Sequence, residues 1–126
     1  MKKRILIIED NGHNMMLQKD LLETAGFEVL EAKCGAEGIA LAKKGKPDAI
    51  VMDVRLPDMR GTQAAHRLRQ RPETCDIPII FVTASVIGDG VTEIMSVQNA
   101  MFLTKPINTR TFAQEINQYL LRRIHG

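Results

Sequence analysis

Short apolar runs alternate along the chain with longer segments whose apolar positions recur at helical spacing. The runs at 4–8, 49–53 and 77–83 are almost continuously apolar, as in strands that are buried on both faces. Residues 27–32 alternate between apolar and polar, and 100–104 form a fifth short run. Because a helical segment follows each run, the pattern predicts an α/β fold: a parallel sheet, helices on both faces and right-handed crossovers.

The first helix is bounded by residue types that favour helix ends. Asn11 or Asn14 can cap its start through a side-chain oxygen, and Gly26 suits a left-handed residue at its end. Its buried side is expected to be Leu17, Leu21, Leu22 and Ala25. Four further helices are predicted at 35–44, 62–71, 88–98 and 109–123. Gly45 and Pro47 are expected to end the helix at 35–44. The fourth is expected to be short or mobile, because Gly88 and Gly90 each weaken a helix by up to about 1 kcal/mol relative to Ala.

Polar side chains stand where four of the predicted strands end. Glu9 and Asp10 follow the first strand, and Asp53 ends the third. Thr83 ends the fourth strand and Lys105 follows the fifth. Ligands bind open parallel sheets outside the carboxyl ends of the strands. We therefore expect these carboxylates, the hydroxyl and the amine to share one pocket.

Carboxylates that share a pocket repel one another. A pair of unit charges 4 Å apart costs about 4 kcal/mol at an effective dielectric constant near 20. Mg²⁺, which prefers carboxylate and carbonyl oxygens, would offset that repulsion, whereas the absence of His and Cys from these positions argues against zinc or copper. Asp53 could then be a nucleophile that forms an acyl phosphate, with Lys105 and Thr83 contacting the phosphoryl oxygens.

These residues and their neighbours resemble the receiver domain of two-component response regulators. The matching motifs are Glu9-Asp10-Asn11, Ile50-Val-Met-Asp-Val-Arg-Leu-Pro-Asp-Met-Arg-Gly61, Phe81-Val-Thr-Ala84 and Phe102-Leu-Thr-Lys-Pro106. They occur in order across the whole chain, and the first is most similar to single-domain cell-cycle regulators and to the receivers of hybrid histidine kinases. The resemblance implies a flavodoxin-like, doubly wound (βα)5 sheet with strand order 2-1-3-4-5.

The resemblance also implies a Mg²⁺-dependent phosphoacceptor switch in a phosphorelay. Asp53 would accept a phosphoryl group from a phosphohistidine on a histidine kinase or a histidine phosphotransfer protein. Glu9 and Asp10 would hold Mg²⁺, directly or through water, together with Asp53 and the backbone carbonyl of Arg55.

Other residues would respond to the transferred group. Thr83 and Lys105 would bind its oxygens, Thr83 would move inward and Phe102 would follow. This would alter the face formed by the fourth helix, the fifth strand and the fifth helix, where a downstream protein would bind. Ala84 would leave access to the phosphoacceptor, and Pro106 would take a cis bond that fixes the approach of the lysine. Simple packing stays open as an alternative for Ala84 and Phe102.

Composition limits the remaining function classes. The 126 residues fit one domain, the aromatic content of 4% argues against base stacking, and the net charge of +2 is small for a polyanion binder. No direct nucleic-acid or membrane contact is therefore expected. Cys34 and Cys75 are the only thiols, which favours a reduced, cytoplasmic protein. We expect one receiver domain over residues 1–126 without an output domain, or alternatively a receiver segment of a hybrid histidine kinase.

Two other classes can be compared with the site. An aspartyl-phosphate hydrolase carries a second carboxylate two residues after its nucleophile, where this chain has Arg55. Slow turnover, rather than enzymatic hydrolysis, is therefore expected, with Arg55 and Ser85 influencing the lifetime of the phosphoryl group. A flavin-binding module needs a Ser-, Thr- or Gly-rich phosphate loop, where this chain has the acidic Glu9-Asp10-Asn11.

The chain also departs from the family pattern. The usual Gly before the fifth strand is missing from Val97-Gln-Asn-Ala-Met101, so the geometry of that turn is in doubt. Phe102 lacks the hydroxyl of the family's Tyr. The third helix is basic, which indicates either a solvated face or a docking site for an acidic partner; its cations are Arg60, Arg67, Arg69 and Arg71.

Overall fold

One parallel sheet forms the centre of the protein. The computed structural model describes residues 2–84 and 89–125. Within them the strands are β1 (Arg4–Ile8), β2 (Glu28–Ala32), β3 (Ala49–Asp53), β4 (Ile79–Thr83) and β5 (Ala100–Thr104). Their order is β2-β1-β3-β4-β5, and all neighbouring pairs are parallel. The predicted fold class and strand order are confirmed.

The helices cover both faces of the sheet. They are α1 (Gly12–Thr24), α2 (Gly35–Gly45), α3 (Gly61–Arg69), α4 (Asp89–Met95) and α5 (Phe112–His125). One core layer joins α2, α3 and α4 to the sheet through Ala42, Leu68 and Ile94. The other joins α1 and α5 through Leu22 and Ile116. None of the helices in the described ranges has both the length and the apolar character that a membrane span requires.

The ends of α1 agree with the sequence, and its buried side agrees in part: Leu22 is buried and Leu21 is half-buried, as predicted. The Asn11 side chain accepts a hydrogen bond from the Asn14 backbone N–H at 3.0 Å, and Gly26 is left-handed with φ 97°. The buried residues are Met15, Gln18 and Leu22, whereas the predicted Leu17 is 40% exposed and Ala25 is exposed. Adjacent helical residues point about 100° apart, so the buried face of α1 includes Gln18 and leaves its neighbour Leu17 partly exposed.

Other predicted boundaries shift by a few residues. Helix α2 includes Gly45, and the left-handed residue is Lys46 with φ 47°. An Arg4 guanidinium nitrogen donates to the Gly45 carbonyl oxygen, so that helix end has a partner that lies far away in sequence. Helix α5 begins at Phe112 because a turn comes first, in which the Asn108 carbonyl accepts the N–H groups of residues 111 and 112. Within the described residues helix α4 is Asp89–Met95, which is shorter than the predicted 88–98 and agrees with the expectation of a short helix; Gly88 lies outside the described residues.

Asn99 replaces the missing glycine before β5. Its φ is 56°, a left-handed conformation that Asn tolerates better than most residues. Its amide Nδ2 donates to the Asp76 carbonyl, its Oδ1 accepts from the Tyr119 hydroxyl, and both distances are 3.1 Å. Its carbonyl accepts from Arg69 Nη2 at 3.1 Å and from the Ile79 N–H at 3.2 Å. The turn therefore links α3, α5 and the starts of β4 and β5.

The basic side chains of the third helix fall into two groups. Arg60 and Arg69 donate hydrogen bonds to α4 and to the carbonyl groups that follow it. Arg67 and Arg71 are exposed. Arg67 and Arg71 fit the interpretation as a solvated face, Arg60 is exposed but also pairs with Glu93, and Arg69 is half-buried.

Candidate functional site

Three predicted carboxylates meet at the carboxyl edge of the sheet. Glu9 follows β1 and Asp53 ends β3, and these two strands are neighbours. One carboxylate oxygen from each of Glu9, Asp10 and Asp53 lies within 4.8 Å of the others. Glu9 is only 2% exposed, Asp53 is half-buried and Asp10 is exposed. The pocket is thus acidic at its base and open on one side.

Lys105 reaches into the same pocket. Its Nζ lies 2.8 Å from Asp53 Oδ2 and 3.2 Å from Glu9 Oε1. Its backbone N–H donates to the Thr83 carbonyl at 2.8 Å, which joins the residue to the end of β4. Burial would lower the pKa of Lys105, but the hydrogen bond and charge of Asp53, followed by those of Glu9, outweigh burial and raise it. The ammonium group is therefore charged at neutral pH.

The surroundings of Glu9 disfavour its charged form. Burial, followed by the negative charge of Asp53, raises its pKa, and Lys105 opposes this only in part. Its Oε2 is buried without a hydrogen-bond partner among the described residues. An unsatisfied buried oxygen and nearby like charges both destabilise the folded state. The oxygen donors and the unpaired Oε2 fit a hard divalent cation.

The main chain around Asp53 is tightly folded. The backbone N–H of Arg55 donates to Asp53 Oδ1 at 3.1 Å. Gly61 lies so close that a Cβ there would be 2.3 Å from the Asp53 carbonyl oxygen, so no larger residue fits without a shift. The predicted role of the Arg55 carbonyl as a metal ligand stays a prediction.

Thr83, Ala84 and Pro106 lie at or just after the ends of β4 and β5, at the same edge of the sheet as the pocket, and Phe102 lies two residues before the end of β5. Thr83 is buried at the end of β4, and Ala84 is exposed directly after it. Phe102 is half-buried in β5 and packs against the core layer of α2, α3 and α4. The peptide bond before Pro106 is cis, the form that the resemblance implies. Ser85 lies outside the described residues.

Two residues that shape the site were not singled out from the sequence. Asp58 caps the start of α2, and Glu93 binds Arg60 at the start of α3. Asp58 is 22 and 23 residues from its partners, and Glu93 is 33 residues from Arg60. No local pattern indicates contacts over such separations. A weak sign was Cys34, a residue that does not favour the helix-capping position it occupies.

An acidic pocket with an inserted lysine, at the carboxyl edge of a 2-1-3-4-5 parallel sheet, defines a phosphoacceptor domain. The family model described as response regulator receiver domain matches residues 5–117. The chain therefore belongs to the response regulator receiver family, whose members act as phosphoacceptor signalling switches in two-component systems.

Individual relatives cover almost the whole chain. The polar-differentiation response regulator DivK of Brucella anthropi is 35% identical over 120 residues, which are 95% of this chain and 98% of the relative. The chemotaxis response regulator CheY4 of Vibrio cholerae has a TM-score of 0.88 at 26% identity, covering 94% and 99% of the two chains. The receiver domain of the sensor histidine kinase PA1611 from Pseudomonas aeruginosa has a TM-score of 0.87 at 25% identity, covering 95% and 98%. That structure has a magnesium ion coordinated in its active site cleft.

Proposed function

We propose that this receiver accepts a phosphoryl group on Asp53 from a phosphohistidine of a histidine kinase or a histidine phosphotransfer protein. The observation that carries the proposal is the contact of 2.8 Å between Lys105 Nζ and Asp53 Oδ2 inside the cluster of Glu9, Asp10 and Asp53. A carboxylate beside a charged ammonium group, on the open side of an acidic pocket, is suited to bind an incoming phosphoryl group.

Glu9, Asp10 and Asp53 are proposed to hold Mg²⁺ together with the backbone carbonyl of Arg55. Support comes from the oxygen-only donors, from Glu9 Oε2, which has no hydrogen-bond partner in the part of the chain that the structure describes, and from the magnesium ion of the PA1611 receiver. When bound, Mg²⁺ supplies positive charge that offsets repulsion among the carboxylates and the phosphoryl oxygens.

The transfer itself needs little from the protein beyond positioning and charge. A carboxylate oxygen of Asp53 attacks phosphorus, the phosphorus–nitrogen bond to the donor imidazole breaks, and an acyl phosphate forms. Lys105 and the Thr83 hydroxyl then bind phosphoryl oxygens. Because Arg55, rather than a carboxylate, stands two residues after Asp53, the position that supplies the acid–base group of an aspartyl-phosphate hydrolase is not acidic here, and the acyl phosphate is hydrolysed slowly. The protein is thus a switch and not a hydrolase.

The signal is proposed to leave through the face formed by α4, β5 and α5. Thr83 moves toward the phosphoryl group and Phe102 follows, while the small Ala84 leaves the acceptor accessible. Helices α4 and α5 each expose a large apolar side chain, Met95 and Leu121, which suits contact with a downstream protein. Such contact, and not binding to nucleic acid or membrane, is the proposed output of a cytoplasmic receiver domain.

The test is phosphorylation by acetyl phosphate in the presence of Mg²⁺, followed by intact-mass measurement. Wild-type protein should gain one phosphoryl group, and hydroxylamine should remove it. Asp53→Asn should gain none. Asp20→Asn is the matched control, because this exposed carboxylate lies on α1 and lines the neighbouring surface cleft with Asp10. An equal mass gain in Asp53→Asn, or no gain in wild-type protein, contradicts the proposal.

A further inference from the structure

The loop that joins β3 to α3 folds back beside the acceptor carboxylate. This phosphoacceptor loop comprises residues 54–60. Its Arg55 N–H donates to Asp53 Oδ1 at 3.1 Å, and Arg55 pairs with Arg60 across the loop in an antiparallel bridge. The main chain that contacts the acceptor is therefore held in place by the far end of the same loop.

Asp58 anchors this loop to the start of α2. Its two carboxylate oxygens accept hydrogen bonds from the backbone N–H groups of Gly35 and Ala36 at 2.8 and 2.9 Å. These two bonds lower the pKa of Asp58, as expected for a carboxylate at a helix N-terminus. Cys34, which occupies the capping position, makes no such bond. Met59 packs so closely that a Cβ on Gly35 would be 2.6 Å from its side chain.

Arg60 anchors the other end of the loop to α4. Its Nε and Nη2 both lie 2.9 Å from Glu93 Oε2. The hydroxyl of Thr62 donates to the same oxygen at 3.1 Å. One carboxylate oxygen of α4 thus receives hydrogen bonds from two residues at the start of α3.

The two anchors attach the loop to helices that lie on opposite sides of β3. Helix α2 packs on β1 and β2, α4 packs on β5, and β3 lies between these strands. We infer that Asp58 and Arg60 are positioning residues for the phosphoacceptor: they hold the loop between α2 and α4 and so keep the Arg55 main chain against Asp53. This inference rests on the proposed phosphorylation of Asp53.

Loss of an anchor should slow phosphorylation more than its effect on stability explains. A displacement of about 1 Å at a reacting group can cost about 100-fold in rate. Asp58→Ala removes both hydrogen bonds between the loop and the start of α2 and leaves the packing of Met59 on Gly35, so the variant should lose about tenfold or more in rate. Arg60→Gln and Glu93→Gln break the same contact from its two ends, so their losses should be similar to each other.

The experiment compares these variants with Glu28→Gln. Glu28 pairs with Arg4 far from the loop, with side-chain exposures of 48% and 39%, against 36% and 46% for Glu93 and Arg60. Three quantities are measured: the phosphorylation rate per folded molecule with acetyl phosphate, the ¹⁵N–¹H shift of the Arg55 amide without Mg²⁺, and the free energy of unfolding. The loop variants should slow the rate and move the Arg55 resonance, whereas Glu28→Gln should do neither.

Rescue separates positioning from a general loss of structure. The exchange Arg60→Glu with Glu93→Arg restores an ion pair and should recover most of the rate, and Asp58→Asn, which keeps one acceptor oxygen, should be intermediate. The inference is overturned if the folded variants have wild-type phosphorylation rates and an unmoved Arg55 amide resonance. It is also overturned if the variants lose free energy of unfolding while the rate per folded molecule and the Arg55 shift stay unchanged. If Asp58→Ala does not fold, Arg60→Gln and Glu93→Gln decide it. If wild-type protein is not phosphorylated, the proposed function fails, and the Arg55 shift still tests the anchors.

Discussion

Replacing Lys105 with Met should destabilise the metal-free protein, and Mg²⁺ should reverse most of that loss. At an effective dielectric constant near 20, the attractions of Lys105 to Asp53 and Glu9, at 2.8 and 3.2 Å, are each about 5 to 6 kcal/mol. The repulsion between two carboxylates up to 4.8 Å apart is then at least about 3.5 kcal/mol. Lys105→Met removes the ammonium group that lies in contact with both carboxylates and offsets that repulsion.

The net loss is smaller than these pairwise terms. Removal of Lys105 also removes the desolvation of its own ammonium group, and the side chains of Lys105 and Asp53 are 22% and 15% exposed, so water screens part of the charge. We expect the free energy of unfolding without metal to fall by about 2 kcal/mol. With saturating Mg²⁺, cation charge replaces the ammonium group and the difference from wild type should fall below about 1 kcal/mol.

The assay is urea unfolding at neutral pH, with EDTA and with Mg²⁺, followed by circular dichroism. Lys19→Met is the control, because the contact of 3.1 Å from Lys19 to Glu31 lies at the surface, where water screens the charges and the pair contributes little to stability. Equal losses in the Lys105 and Lys19 variants would refute the charge argument. A Lys105→Met deficit that Mg²⁺ leaves unchanged would refute the assignment of the three carboxylates as a cation site.

Three further perturbations test the surroundings of the site. Asn99→Ala should lower the free energy of unfolding by about 2 to 3 kcal/mol, since it strains the left-handed turn and removes two side-chain hydrogen bonds, whereas Asn99→Gly should cost about 1 kcal/mol less in the same urea titration. Gly61→Ala should lower both the midpoint of thermal unfolding and the phosphorylation rate, because its Cβ would lie 2.3 Å from the Asp53 carbonyl oxygen. The pKa of Asp58 is lowered in the folded state, so its contribution to stability is complete above the unfolded pKa and disappears as pH falls through the folded pKa. The stability difference between wild type and Asp58→Asn, measured from neutral to acidic pH, should therefore shrink on acidification, and a constant difference would contradict this origin.

The strands and the main chemical groups of the site were predictable because they depend on local pattern plus topology. A strand buried on both faces needs a continuous apolar run, and Ala49–Met52 is such a run. Parallel strands that alternate with helices bring their carboxyl ends to one edge, which places Glu9 near Asp53 without any knowledge of side-chain contacts. Each strand end needed only to be located within a residue or two.

The misplaced features depend instead on contacts between distant residues. The end of α2 at Lys46 is accompanied by an Arg4 side chain bonded to Gly45, 41 residues away. Gln18 is buried where Leu17 was expected, which hydropathy alone does not indicate. Local propensity ranks such choices only weakly, and tertiary packing decides between them.

The phosphoacceptor loop shows how this limit affects function. Its acceptor-side geometry depends on Asp58 and Arg60, whose bonding partners belong to α2 and α4. Each residue can hold the loop only when its partner is present. An acid at position 58 requires free backbone N–H groups at the start of α2, and Arg60 requires Glu93. A substitution at one member of a pair, with its partner unchanged, should therefore slow phosphorylation of Asp53. Paired exchange of positions 60 and 93 should be tolerated, and this dependence on the partner is what distinguishes a positioning contact from an isolated surface ion pair.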